Sequence, residues 1–285
     1  MKKPVIGLVM KSLQAEFFQE MEKGACSFAQ SQTDFELITV GTSTQTEIDL
    51  QIQLIEKMIA DKVDALVVVP IDSKALVPVV VKAVHAGIKV INIDIRLDEQ
   101  LLASSNVELT YVGPDNYSAA FKVGEVLVGQ LKPGSKIILI EGLQVAENAQ
   151  QRKAGFLKAI QDGGMELVGS ATGDWETVKA AVAFLKLFKA HPDTDAVMCC
   201  NDAMALGVIQ VLLEKGLDGK IPVVGFDNDA AVQQYLQTGV LLATIDAFGS
   251  QMAVEGIRFA LKVLNGMENK GSYCTPFKVL LPLHV

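Results

Sequence analysis

Aromatic side chains are scarce in this chain: one tryptophan, four tyrosines and twelve phenylalanines make up 6% of its 285 residues. Histidine is scarcer, at three, and cysteine stops at four. His85, His191 and His284 lie far apart, and Cys26, Cys199, Cys200 and Cys274 have no C-x-x-C spacing. No local pattern therefore favours a metal site or a disulfide framework, and the cysteines read as free thiols. Positive charge is in deficit: 25 Lys+Arg against 33 Asp+Glu leave a net charge of −8. Such a surface repels phosphate, so nucleic acid is not an expected partner. No apolar run approaches the roughly 18 residues that a membrane-spanning helix requires. The G-x-x-x-x-G-K-[ST] phosphate loop, G-x-G-x-x-G after a strand, the G-x-S-x-G elbow and H-E-x-x-H are all missing, so neither a nucleotide cofactor nor an enzyme is expected.

What is present is apolar. Half of the residues are hydrophobic and 20% are charged, which is too much hydrophobicity for a disordered chain. At roughly 100–200 residues per domain the length suggests two domains. Lys2 and Lys3 imitate the start of a secretory leader. The apolar stretch that follows is interrupted by Gly7 and ends at Lys11, too short for a leader core, and reads as a first buried strand.

Short apolar runs alternate with longer helical patterns along the chain. The runs at 5–10, 35–40, 65–69, 90–93, 136–140, 167–171, 196–200 and 223–226 are apolar at consecutive positions, which suits parallel strands covered on both faces. Between them, Ile48, Ile52, Ile55 and Ile59 step by three or four residues. So do Ala120, Val123, Leu127 and Leu131, and Val254, Ile257, Leu261 and Leu264; each set makes one apolar helix face. The halves also echo each other. DALVVVPID, ending at Asp72, resembles DAVMCCND, ending at Asp202, and AGIKVINID, ending at Asp94, resembles GKIPVVGFD, ending at Asp227. Order and spacing match, which points to two domains of one topology.

After the second repeat there remain a run at 240–245, a helical pattern at 249–264 and a run at 277–281, too little for a third domain. The economical solution is a chain that crosses back, adds a helix to the first domain and returns. The expected fold class is α/β, with two similar doubly wound parallel-sheet lobes joined by a multi-crossover hinge. The lobes are expected at 1–113 plus 247–277 and at 114–246 plus 278–285.

Ligands of parallel sheets collect at the carboxyl ends of the strands. The residues there are Lys11 with Phe17 and Phe18; Asp72; Asp94; Glu141 and the loop to Arg152; Asp174 with Trp175; Asn201 and Asp202; Asp227 and Asp229; and Asp246. Carboxylates, amide and cations with a few large aromatics suit a hydroxyl-rich ligand. Carboxylates accept from hydroxyls, cations and amides bridge the remaining oxygens, and flat rings cover C–H faces. Asp72 and Asp202 read as caps of the helices that follow. One of Phe17 and Phe18 can be ordinary core. Trp175 sits on a polar Gly-Asp-Trp-Glu turn, a poor place for a core residue. Arg152 near a helix start opposes the dipole and calls for a partner. Asp94 and Asp227 hold equivalent points of the repeats, and glycoside acid–base chemistry by this pair stays open at this level.

At these residues the chain resembles a periplasmic sugar-binding protein of the ribose/allose-binding type, the type I solute-binding component of an ABC importer. The resemblance rests on KSLQAEFF, VINID, VGPDN, QRKAGF, GDW, HPDTDAVMCCNDAMALG, VVGFD and LLATI, and runs from the first strand to the end. It implies Phe17, Phe18 and Trp175 around a sugar ring, with Asp94, Arg152, Asn201 and Asp227 as hydroxyl partners. It implies hinge crossings at VGPDN and around 245–247, two lobes that close on the ligand, a periplasmic location, a membrane permease as partner and a monomer. Lys11 resembles the allose-binding branch. Ribose binders usually carry Arg directly after the aspartate of VINID, where this chain has Ile95 and then Arg96. Relatives often carry Asn where Ala15 stands and Gln where Ala247 stands, with Asp246 beside it. These departures imply a sugar or polyol other than ribose. The sensor domain of a sugar-responsive repressor and a receptor for autoinducer-2 or a chemotaxis ligand share the fold class and are the alternatives.

Overall fold

The computed structural model describes residues 3–282, so Lys2 and His284 lie outside the described residues. The chain forms two compact units. One holds the chain up to Pro114, Val145–Glu147 and Phe248–Thr275; the other holds Asp115–Gln144, Asn148–Ala247 and the chain from Pro276 onward.

In the first unit, β1 (Val5–Met10), β2 (Glu36–Gly41), β3 (Ala65–Val68), β4 (Lys89–Ile93) and β5 (Thr110–Pro114) are joined later by β11 (Ser272–Thr275). Their order across the sheet is β11-β5-β4-β3-β1-β2, with every pairing parallel. Both faces are covered, which is why β3 and most of β1 are fully buried. The helices are α1 (Glu16–Gln30), α2 (Ile48–Ala60), α3 (Val77–His85), α4 (Glu99–Ser104) and α10 (Gly249–Leu264). The spacing of Ile48, Ile52, Ile55 and Ile59 becomes one face of α2, with Ile55 inside a core that contains Val9, Leu66, Val68, Val80 and Val90.

In the second unit, β6 (Lys136–Glu141), β7 (Glu166–Thr172), β8 (Ala196–Cys199), β9 (Val223–Val224), β10 (Leu241–Asp246) and β12 (Lys278–Leu280) stand in the order β12-β10-β9-β8-β6-β7. Only β12 is antiparallel to its neighbour, lying along β10 at one edge. Its helices are α5 (Asn116–Val128), α6 (Glu147–Asp162), α7 (Thr177–Ala190), α8 (Asp202–Glu214) and α9 (Gln233–Thr238), with a 3-10 turn at Ala230–Val232. Ile137, Leu139, Phe156, Phe184, Val197 and Val208 have no solvent exposure.

The architecture is the one the strand–helix alternation implies, with two elements the apolar runs do not announce. β5 reads TYVGP, and its glycine and proline disguise a strand whose last residues are the VGP of VGPDN. β11 reads SYCT, short and largely exposed at the sheet edge, so it carries no apolar run. Leu131 falls beyond α5, which stops at Val128 with Gly129 as its C-cap. Among the described residues no helix is long and apolar enough to cross a membrane. The cysteines are free: Cys199 and Cys200 are buried, Cys26 is half-buried and Cys274 is exposed.

Leu139 lies at the centre of β6 with none of its surface exposed. Truncation there leaves a cavity that packed neighbours cannot fill. Leu139→Ala is expected to lower the stability of this unit by about 2–5 kcal/mol. The check is urea unfolding followed by the emission of Trp175, the sole tryptophan and a resident of the same unit.

Candidate functional site

Each unit brings its polar side chains to the carboxyl ends of its parallel strands. In the first unit, β1 delivers Lys11 directly after Met10, and the lysine is only 2% exposed. Its Nζ lies 5.4 Å from the centre of the Phe18 ring. Phe17 and Phe18 open α1 and meet edge to face, 5.2 Å apart at 88°. Phe18 is buried and Phe17 half-buried.

Asp94 follows β4, two strands away from Lys11 in the sheet. Its backbone is left-handed, with φ 63°. That conformation is held at both ends: its N–H donates to the Val112 carbonyl at 3.0 Å, and the Tyr111 hydroxyl donates to its carbonyl at 2.8 Å. Burial, and then the Asp94 charge, push the Tyr111 phenol up, so the hydroxyl stays a donor. Ile95 is buried. Arg96, next in line, turns to the β5–β11 edge: it lies over the Tyr111 ring at 3.8 Å and bonds Glu99 and Ser272 at 2.9 Å each.

The second unit is organised around Arg152, 3% exposed in the first turns of α6. Its Nε donates to Asn116 Oδ1 at 2.9 Å, and Nη1 donates to the Cys200 carbonyl at 2.9 Å and to Asp227 Oδ1 at 3.2 Å. The guanidinium carbon lies over the Phe226 ring, 3.5 Å from its centre, and 5.5 Å from the centre of the Trp175 ring. The cation that opposes its helix dipole thus has the partner it calls for, in a buried pair whose side chains are 3% and 9% exposed.

Trp175 departs from what its polar turn suggests, being only 3% exposed. Asp174 and Trp175 are both left-handed, with φ 50° and 67°, and this folds the turn back on itself. The indole then lies against Gly142: a Cβ added there would sit 2.1 Å from the tip of the ring, so only glycine lets the tryptophan in. Beside it, Glu141 bonds Gln144, Ser170 and Lys153, the last at 2.9 Å. Burial alone would raise the Glu141 carboxyl; the bonds from Lys153, Ser170 and Gln144 outweigh it and hold the group below the usual range.

Asp72 Oδ1 accepts from the backbone N–H of Lys74 and Ala75 in the turn before α3, whose own N-cap is Leu76 without a side-chain bond, so Asp72 does not cap the helix itself. Nor does Asp202 cap α8. The N-cap of α8 is Asn201, whose Oδ1 accepts from the Met204 N–H at 2.9 Å. Asp202 is one residue further on, fully buried, and takes the Thr244 hydroxyl and the Asp229 N–H. Two adjacent polar residues at a helix start cannot both cap it, and the second is swung inward. Asp246, half-buried at the end of β10, accepts from Asn228, which in turn accepts from Gln233.

Asn116 and Asn148 are missing from the strand-end set. Asn116, fully buried at the start of α5, fixes the Arg152 Nε. Asn148 stands one helical turn before Arg152 on the same face of α6. It is 3% exposed, and its Oδ1 is buried with no hydrogen-bond partner. An amide at four residues' distance from a buried arginine is the signal that points to it in the sequence.

Taken together, the second unit gathers Arg152, Asp227, Trp175 and Phe226 into one cluster, with Asn201 beside the carbonyl that Arg152 binds and Asp246 tied to the residue after Asp227. Guanidinium and carboxylate supply donors and acceptors for hydroxyls, and the rings supply apolar faces. Among the described residues no group of three His, Cys, Asp or Glu side chains could hold a metal ion. Gly142→Ala is expected to displace the indole, shifting Trp175 emission to the red, while far-ultraviolet circular dichroism stays that of the parent.

The periplasmic binding protein domain family matches residues 6–268. The D-ribose/D-allose-binding protein of Pseudomonas aeruginosa is 44% identical over 98% of this chain and 89% of its own length. The D-allose-binding periplasmic protein of Escherichia coli is 27% identical over 88% of this chain and 81% of its own. Among solved structures, an ABC transporter solute-binding protein of Burkholderia multivorans, holding an unknown ligand interpreted as α-D-erythrofuranose, superposes with a TM-score of 0.95 at 43% identity, over 98% of this chain and 99% of that one. One from Actinobacillus succinogenes with bound D-allose gives 0.91 at 32% identity, over 98% of each chain. With strand-end sites of this composition on two like-folded units, and a match over nearly its whole length, the chain belongs to the periplasmic binding protein family.

Proposed function

We propose that this member carries a sugar or polyol of the allose kind, rather than ribose, as the solute-binding component of an ABC importer. Arg152, Asp227, Asn201, Asp246 and Asn148 in the second unit and Lys11 and Asp94 in the first read the oxygens of a single ligand, and Phe17, Phe18 and Trp175 face its C–H surfaces. The observation that carries this reading is the Arg152 guanidinium, buried against two aromatic rings and paired with Asp227. Such a pair is costly to bury, and a ligand rich in hydroxyls uses both of its partners at once.

The relative from Pseudomonas aeruginosa is named for both D-ribose and D-allose, and the Actinobacillus succinogenes structure holds D-allose. Ile95 occupies the place of an arginine that ribose binders usually use, and Arg96 is engaged with Glu99, Ser272 and Tyr111. This loss of a donor beside Asp94 supports a hexose over ribose. The functional lobes in this reading are 1–113 with 247–277 and 114–246 with 278–285. Ligand shifts them toward a closed form because that form alone offers both sets of contacts. The protein works as a periplasmic monomer, delivers its cargo to a membrane permease and performs no chemistry on it.

The test is a titration with D-allose, D-ribose, D-xylose, D-glucose and myo-inositol, following Trp175 emission and melting temperature. D-allose is expected to give a saturable change and to bind more tightly than D-ribose. At a ligand concentration a thousandfold above Kd, stabilisation should reach about 4 kcal/mol. A flat response across the panel removes the sugar-binding reading; equal affinity for D-ribose removes only the preference. Asp227→Ala and Arg152→Ala are each expected to weaken binding more than about tenfold, roughly 1.4 kcal/mol or more. Parental affinity in either variant takes that residue out of the site.

A further inference from the structure

Asp202 is the first residue of α8 and has no solvent exposure. Its backbone N–H donates to the Phe226 carbonyl at 2.7 Å. Its carboxylate accepts from the Thr244 hydroxyl at 2.8 and 2.9 Å and from the Asp229 N–H at 3.1 Å. The backbone amides of Asn228 and Phe226 also favour the charged form of this carboxylate. The loop after β9 therefore wraps its amides around a single buried anion, the arrangement of a backbone nest. Gly225 admits that anion: a Cβ at this position would stand 2.0 Å from Asp202 Oδ1.

The loop so held has an unusual backbone. Asp227 and Asn228 have φ 118° and 64°, two consecutive non-glycine residues in the left-handed half of the map. Such residues are strained and persist only where their surroundings fix them. The Asp227 N–H donates to Ile245, and the Asp229 N–H is held by Asp202. Asp227 therefore meets Arg152 from a conformation fastened on both sides.

We infer that Asp202 is a positioning residue: its carboxylate fills the backbone cradle of residues 226–229, sets the orientation of Asp227, and makes ligand affinity depend on pH. This inference rests on the reading of Asp227 as a ligand contact. Ionised, Asp202 offers its oxygens to the hydroxyl and N–H donors converging on it. Protonated, it gains an O–H that confronts those same donors, and the cradle loses an acceptor. Binding through Asp227 favours the fastened loop and so the ionised form, and it releases the Asp202 proton when it occurs below neutrality.

Burial raises this carboxyl to about 6 even though Thr244 and the amides of Asp229, Asn228 and Phe226 work to lower it. Cys199 from β8 interacts with it electrostatically, Asp229 of the loop bonds it through its N–H, Asp227 stands two residues earlier in the same loop, and Asp246 from the end of β10 bonds Asn228 of that loop. Cys199 stays neutral because burial pushes its thiol well up, and Asp227 is paired with Arg152. From α7, Thr177 and Ala181 are what meet α8 at Gly207; β9 and the 3-10 turn at Ala230–Val232 contribute no ionisable group.

The signs separate this device from acid unfolding. A carboxyl raised in the folded state binds protons more readily there than in the unfolded chain. Its contribution to stability therefore declines as pH rises between its ordinary value and about 6, and grows on acidification. Ligand affinity moves the opposite way, falling as pH drops through about 6.

The test measures D-allose and D-ribose affinity from about pH 5 to pH 8 for the parent, Asp202→Asn and Thr244→Val, with amide hydrogen exchange of residues 226–229 recorded in parallel without sugar. Asp202→Asn should raise Kd about tenfold or more at neutral pH, flatten the acid limb of the profile and speed exchange at 227–229. Thr244→Val removes a donor to the carboxylate and should move the acid limb to higher pH, which a purely packing role would not do. If Asp202→Asn fails to fold, Thr244→Val and the pH dependence of parental exchange carry the test. A parental profile in the variants that fold overturns the inference, as do protection factors at 227–229, corrected for intrinsic exchange, that are unaffected by pH and by the substitutions. The exchange result stands even if neither sugar binds, an outcome that counts against the proposed ligand instead.

Discussion

A guanidinium taken out of water must find acceptors in its own plane and polarisable surfaces above and below it, or the unit that buries it does not hold together. Arg152 finds them in Asn116, the Cys200 carbonyl and Asp227, with the Phe226 ring against its face and Trp175 nearby. These partners come from the start of α5, the end of β8, the loop after β9 and the turn after β7. The effective penalty of burying such an ion is several kcal/mol, and removing one partner of a buried pair costs more than the pair contributes. One side chain thus ties together segments that are distant in sequence.

The alternation of apolar runs and helical faces was enough to read the two parallel sheets, because strands such as LVV in β3 and IILI in β6 are buried on both sides and have no polar position to confuse the pattern. Elements at the sheet margins were harder. β5 is buried throughout between β4 and β11, but its glycine and proline break the apolar run, and β11 pairs through its backbone while exposing most of its side chains. For the candidate site, the carboxyl-end rule pointed to Lys11, Asp94, Arg152, Asp227 and Trp175 as positions, since it depends on topology alone. It could not tell which of Asn201 and Asp202 caps α8, because both have the chemistry and the choice is made by Thr244 and the 226–229 loop in space. Nor could it show that Trp175 is buried, which depends on the missing side chain of Gly142.

Left-handed residues gather at the same strand ends. Asp94, Asp174, Trp175, Asp227 and Asn228 all have positive φ, and none is glycine. Two of these strained positions are held by bonds to backbone groups: Asp94 through Val112 and Tyr111, Asp227 through Ile245. Strain of this kind concentrates where side chains must point in one direction, so the backbone here trades ease of folding for fixed orientation.

The adjacent thiols of Cys199 and Cys200 close β8, fully buried. Burial drives Cys200 up to about 12 against the influence of Arg152, and drives Cys199 well up too. Only thiolates attack disulfides, so in the folded protein both sulfurs resist thiol–disulfide exchange. The solvent-facing Cys274 stands apart from them as a handle for a maleimide dye.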